Sequence, residues 1–79
     1  MNGVLERTLA ILEVLAHNPG GLPLREIADK LGIPTSGAHR LLRDLLRLGY
    51  VRQEREHADY VLTTRLVSLG LSFLSASGI

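Results

Sequence analysis

Cysteine is absent from the 79 residues of this chain, which excludes a disulfide framework and any thiolate metal site. Histidine is sparse, and His17, His39 and His57 lie too far apart for the i, i+3 or i, i+4 pairs that set two ligands on one helix face. No metal or cofactor is therefore expected. Long apolar runs are missing too: the most apolar stretch, Leu66 to Leu74, is about half of the roughly 20 residues that a membrane-spanning helix needs. The N-terminus lacks the basic flank, apolar core and small-residue cleavage site of a secretion signal, so a cytoplasmic location is the expectation. There are no internal repeats.

Hydrophobic residues make up 46% and charged residues 22%, the composition of a folded domain rather than a disordered segment. A chain this short buries only about 60% of the surface that its unfolded form exposes, so added support from a partner chain is expected. The net charge of +1 conceals an asymmetry. Between Thr35 and Arg52, Arg40, Arg43, Arg47 and Arg52 face the single acid Asp44, a local charge of +3 against −2 for the rest. That imbalance points to an anionic partner.

Periodicity divides the chain. From Val4 to Ala16, Leu5, Leu9, Leu12 and Leu15 or Ala16 recur at spacings of three and four, predicting an amphipathic first helix packed through that stripe. Asn18-Pro19-Gly20-Gly21 breaks it, and Leu22 is expected to add a very short strand. Leu24, Ile27, Ala28 and Leu31 mark a short second helix closed by Gly32. Ile33-Pro34 forces a turn, and Thr35 or Ser36 is the expected cap of a third helix running from about Ser36 to Leu48 and ending at Gly49. On this helix Ala38, Leu41, Leu42, Leu45 and Leu48 share one face, and Ser36, His39, Arg40, Arg43 and Arg47 the other. Tyr50-Val51-Arg52-Gln53 and Tyr60-Val61-Leu62-Thr63 predict a hairpin whose polar loop, Glu54 to Asp59, contains no glycine to fix its turn.

Of Leu66 to Leu74 only Ser68 and Ser72 are polar, too broad an apolar surface for a helix that packs on one thin domain alone. This segment predicts a linker helix with a second contact, carried by Leu66, Leu69, Gly70, Phe73 and Leu74 as dimerisation residues. The expected division is a domain over residues 1–63 and a linker over 64–79, ending in Ser75-Ala76-Ser77-Gly78-Ile79 where a longer chain was cut.

Two short helices around a glycine-containing turn, the second basic on its outer side, are a helix-turn-helix. The expected fold is mainly α with a small β-hairpin, a winged helix-turn-helix of three helices and a wing. A B-DNA major groove about 12 Å wide admits one α-helix, provided that a packed inner face holds the outer side chains at fixed positions. The residues at the N-terminal end of the third helix, Thr35, Ser36, Gly37, His39 and Arg40, are placed to meet base edges or phosphates. Gly37 would let the backbone come close, while Arg43 and Arg47 rise toward phosphates. In the wing, Arg52 and Arg55 are the candidates, nearly cancelled by Glu54, Glu56 and Asp59. Blander roles stand beside these. Ser36 can serve as a helix cap alone, and His39 as a plain surface residue.

Two other classes of function are conceivable for such a fold. A winged helix acting as a protein-protein module would need an apolar or mixed-charge groove, which the acid-poor face of the third helix does not supply. Catalysis by Ser36, His39 and Asp44 fails on geometry, because Asp44 lies about 140° around the helix from His39 and cannot orient it. A core this small also leaves no room for a useful pocket, so no enzyme is expected.

The string Leu24-Arg25-Glu26-Ile27-Ala28-Asp29-Lys30-Leu31-Gly32-Ile33-Pro34, with Ser36, His39-Arg40-Leu41-Leu42, Leu48-Gly49-Tyr50-Val51, Tyr60-Val61-Leu62 and Leu66, closely resembles the N-terminal domain of IclR-type bacterial transcriptional regulators. The resemblance covers nearly the whole chain. Thr35 stands where the family often has a basic residue, Gly37 where it often has Thr, and the wing lacks the usual Asp-Gly turn. What the resemblance implies is a regulator, such as a repressor, that binds double-stranded DNA at a pseudo-palindromic operator as a homodimer or dimer of dimers. It further implies a linker helix in the dimer contact and a separate C-terminal domain, absent from this chain, that binds a small-molecule effector.

Overall fold

Two helices in this molecule end in the same way, and those ends set its architecture. In Leu31-Gly32-Ile33 and Leu48-Gly49-Tyr50 the glycine adopts a left-handed conformation, φ +68° and +87°. The amide of the next residue then reaches back five positions, Ile33 N–H to Ala28 O at 3.1 Å and Tyr50 N–H to Leu45 O at 2.9 Å. These 6→1 bonds satisfy carbonyls that a helix end would leave open, and Ile33 and Tyr50 pack back against the core. Each helix is thereby stopped and redirected within two residues.

The computed structural model describes residues 3–78. Its elements are α1 (Val4–Ala16), α2 (Leu24–Leu31), α3 (Thr35–Leu48), β1 (Val51–Arg52), β2 (Val61–Leu62) and α4 (Arg65–Ser77). The strands pair antiparallel in the register Val51 to Leu62 and Arg52 to Val61. Leu22 forms the expected short strand element, bridging Tyr60 through two backbone bonds of 3.1 and 2.8 Å. Gly21 makes this bridge possible. Its φ is +98°, and a Cβ there would lie 2.9 Å from the Tyr60 carbonyl and 2.8 Å from Val61 Cγ2, so any side chain would push the wing off the body.

The core joins Ile11 and Leu15 of α1, Ile27 and Leu31 of α2, Leu41, Leu42 and Leu45 of α3, and Leu22, Val51 and Tyr60 from the wing side. Five expectations are corrected by the structure. In α1 the stripe is rotated: Leu5 and Leu9 are 71% and 50% exposed, Ala16 is exposed, Leu12 is half-buried, and Ile11 and Leu15 point inward. The sequence of α1 is apolar nearly all round, so several stripes compete and only the position of α2 and α3 selects one. Leu48, expected on the packed face of α3, is 49% exposed because Gly49 turns the chain away beneath it. The cap of α3 is Pro34, with no side-chain hydrogen bond, so neither Thr35 nor Ser36 caps it. The strands are two residues long instead of four, since pairing stops where the polar loop diverges. Finally, α4 begins at Arg65 and extends through Ser77, past the apolar run, and buries no residue.

Candidate nucleic-acid interface

The inner face of α3 consists of Ala38, Leu41, Leu42 and Leu45, all buried against α1 and α2. With that side fixed, its outer residues are delivered to solvent as one ridge. Thr35, Ser36, His39, Arg40, Arg43 and Arg47 are exposed, and Gly37 is half-buried. Among the described residues, Arg47 is the one of these cations with a carboxylate in reach, Asp44 Oδ1 at 3.7 Å one turn back. Both side chains are more than half exposed, so water screens that pair and Arg47 remains available. The arginines face outward, and none is turned into the core.

The same packing exposes the start of α3. Pro34 gives its first turn extended entry geometry without a side-chain acceptor, which leaves the amides of the first turn without an intrahelical partner. The positive end of the helix dipole then faces solvent beside Thr35 and Ser36, the end that favours an anion. In α2 the cap is Pro23, likewise without a side-chain bond.

Between these two helix starts and the wing lies a cleft of about 510 Å³ lined by Arg25 of α2, Thr35 and His39 of α3, and Gln53, His57 and Tyr60 of the wing region. Gln53 shapes its rim by donating from Nε2 to the Ala58 carbonyl at 2.8 Å. The Ala58 amide bonds Arg55 O at 3.1 Å, closing a tight turn in which His57 takes the positive φ of 69°. Here the sequence lacks the glycine that such a turn favours, and a histidine accepts the strain instead. Tyr60 is buried, and desolvation pushes its phenol up from the ordinary value, so it stays uncharged at the cleft floor.

Arg25, Gln53 and His57 were not among the residues singled out from sequence. Arg25 was hidden because Arg25 and Lys30 together balance Glu26 and Asp29 along α2; only the packing of α2 on α3 brings it to the cleft that His39 also lines. Arg52 and Arg55, the expected wing residues, are exposed but line a second groove with Pro19, Gly20, Glu54 and Asp59, which meets the first cleft at His57 and Ala58. The structure thus gathers Thr35, Ser36, Gly37, His39, Arg40, Arg43 and Arg47 on one ridge and leaves the two wing arginines apart from it.

Away from the ridge, α4 carries Leu69, Gly70, Phe73 and Leu74 exposed, with Leu66 half-buried at its base. What orients this helix is its first turn: Thr63 Oγ1 donates to Gly49 O at 2.7 Å, Thr63 N–H to Tyr50 O at 3.0 Å, and the Arg65 guanidinium lies 5.3 Å from the Tyr50 ring centroid. Among the described residues no helix is long and apolar enough to cross a membrane.

A short helix, a glycine turn, a basic exposed helix and a hairpin packed against α3 and α1 define a winged helix-turn-helix domain. A family model described as the IclR helix-turn-helix domain matches residues 4–55. The chain belongs to the IclR family. It is 37% identical over 78 residues to an HTH-type transcriptional regulator of Haemophilus influenzae, covering 99% of this chain and 29% of that protein. It is 36% identical over 75 residues to the DNA-binding transcriptional repressor YiaJ of Escherichia coli, covering 95% of this chain and 27% of that protein. The crystal structure of an IclR family transcriptional regulator from Brucella abortus superposes with a TM-score of 0.80 at 36% identity, over 91% of this chain and 27% of that one. The chain therefore spans under a third of the length of these relatives.

Proposed function

We propose that this domain supplies operator recognition to a transcriptional repressor, with α3 seated in the major groove of a pseudo-palindromic DNA site. The observation that carries the reading is the α3 ridge itself: Arg40, Arg43 and Arg47 exposed on one side of a helix whose other side is buried. A major groove needs a rigid helix of this width with cations outward, and family membership supplies DNA binding as the class of function. Arg40, near the N-terminal half, addresses base edges; Arg43 and Arg47 address phosphates.

Two copies are proposed to act together through α4, with Leu69, Gly70, Phe73 and Leu74 in the contact, and Leu66 at its edge. A single module buries only about 600–1,000 Å² on DNA, so one domain alone binds weakly and a second half-site supplies the missing affinity and specificity. The division at residue 63 between DNA-binding body and linker, a small-molecule effector bound by a further domain, a cytoplasmic setting and a non-catalytic role belong to the same reading. A mixed-charge docking groove, which a protein-protein module would need, is not what the α3 ridge offers.

Fluorescence anisotropy of a labelled duplex across a salt series tests the central claim. If each of two subunits neutralises roughly three phosphates, log affinity falls against log salt with a slope near −5. A flat response would remove the DNA-binding reading.

A further inference from the structure

We infer that the cleft between α2, α3 and the wing holds a DNA backbone phosphate gripped by the imidazoles of His39 and His57, so that DNA binding takes up protons. The inference rests on the DNA-binding reading and extends it from the arginine ridge, through His39 at its edge, to the cleft beside the wing. His39 comes from the first turns of α3 and His57 from the wing turn, 18 residues apart in sequence, yet both line one cleft of about 510 Å³. Both are exposed, and the cleft opens at the N-terminal end of α3 where DNA must approach if that helix enters a groove.

The other groups facing this cleft decide its charge. Arg25 enters from α2, Thr35 from the start of α3, Gln53 and the neutral Tyr60 from the positions just after β1 and just before β2, and Glu56 from the wing loop. The Arg25 cation and the Glu56 carboxylate cancel, and in the second groove that His57 also borders Arg52 and Arg55 balance Glu54 and Asp59, so the two imidazoles set the net charge of the cleft. Imidazole is the side chain that gains its charge between about pH 8 and pH 5. With both rings neutral the cleft is a poor phosphate seat; with both charged it carries two added cations. Glu56 sharpens the effect. Its Oε1 lies 4.0 Å from His57 Nε2, so without DNA it competes for the charged ring, and with DNA it repels the phosphate. Turn geometry adds the remaining element: the φ of 69° at His57 holds the imidazole-bearing residue at the tip of a closed turn instead of on a free loop.

The sign follows from linkage. DNA-bound protein holds more protons on His39 and His57 than free protein does, so affinity rises as pH falls. His17 is the internal control: it sits at the C-terminal end of α1, bonded to Glu13 O at 2.9 Å, in a separate hollow with Lys30.

The experiment is anisotropy of a random-sequence duplex at fixed low salt, for the whole chain, across about pH 8 to pH 6, where carboxylates and arginines keep their charge. The expected result is a gain of about tenfold or more for the parent chain, several-fold for each imidazole charged at a phosphate. The double variant His39→Gln with His57→Asn, in which Asn tolerates the positive φ, should lose most of that gain. Glu56→Gln should bind more tightly at neutral pH, and His17→Gln should keep the full pH slope. Circular dichroism of each exposed-site variant reports retention of the fold. A pH slope unchanged in the double variant overturns this inference while leaving DNA binding intact; absence of binding at every pH and salt overturns the DNA-binding reading itself.

Discussion

The helix-turn-helix body and the α4 helix are built from similar residues and live in opposite environments. In α2 and α3 the apolar residues Ile27, Ala28, Leu31, Ala38, Leu41, Leu42 and Leu45 are buried, while Val67, Leu69, Leu71, Phe73 and Leu74 of α4 all face solvent. Val4, Leu5 and Leu9 of α1 share that exposure. Hydrophobic content therefore does not distinguish a core helix from a contact helix here; what distinguishes them is whether the apolar residues keep to one stripe. The α2 and α3 stripes are narrow, with charges opposite, and each finds a partner inside the chain. The α4 surface is apolar on most sides and buries no residue, which is the surface that the proposed contact between copies would cover.

Truncating one residue from each region sharpens this contrast most. Leu42 is fully buried at the centre of the core, so Leu42→Ala should cost about 2–5 kcal/mol. For a chain of this length that is a large part of the whole stability, roughly 4–12 kcal/mol. Phe73 is 65% exposed, and Phe73→Ala should change the unfolding free energy of the monomer, measured in urea, by no more than about 0.5 kcal/mol. The same substitution should lower self-association measured by sedimentation. A Phe73→Ala variant as unstable as Leu42→Ala at low protein concentration would erase the distinction between the two regions.

The next effect lies within the body, between two positions of the ridge. Arg40→Ala and Arg43→Ala should each weaken DNA binding by about 1–3 kcal/mol. Arg40→Ala should change which base is preferred across a panel of operator variants, whereas Arg43→Ala should weaken all of them alike and reduce the salt slope by about 1. Equal, sequence-blind losses would move Arg40 to the phosphate group of contacts. Since Arg47 already has Asp44 3.7 Å away, Arg47→Ala should give the smallest loss of the three.

The same contrast explains how much could be read from residues alone. Helices α2 and α3 were legible to within a residue because glycine marks each end and because a narrow stripe admits one inward face. The turn at Asn18 to Gly21 and the Leu22 strand were legible from breakers. The inward face of α1 was legible only at Leu15, and in part at Leu12, since Ala10, Ile11 and Val14 compete with Leu5 and Leu9, and the choice is made by helices that lie elsewhere in the chain. Proline capping of α3 was missed because Thr35 and Ser36 are good caps in isolation, yet the extended conformation of Pro34 already starts the helix. In the candidate site, the ridge was legible from charge and periodicity. The cleft was not: it is made by Arg25, His39 and His57, which tertiary packing alone brings together.

The smallest expected effect separates fold from function at a single residue. Gly37 lies in the first turns of α3, and a Cβ built there meets nothing within 4 Å. Glycine inside a helix is less favourable than alanine by roughly 1 kcal/mol, so Gly37→Ala should stabilise the free domain by up to about that amount, read as a higher urea midpoint. Nothing within the domain therefore requires glycine at this position. If its role is to let the α3 backbone approach DNA closely, the added methyl must be accommodated against a base or a phosphate, and affinity should fall as stability rises. Gains in both stability and affinity would mean that Gly37 is simply a weak helix residue and that the backbone of α3 keeps its distance from the groove floor. Opposite signs would place a close contact at Gly37 and fix the depth to which α3 enters.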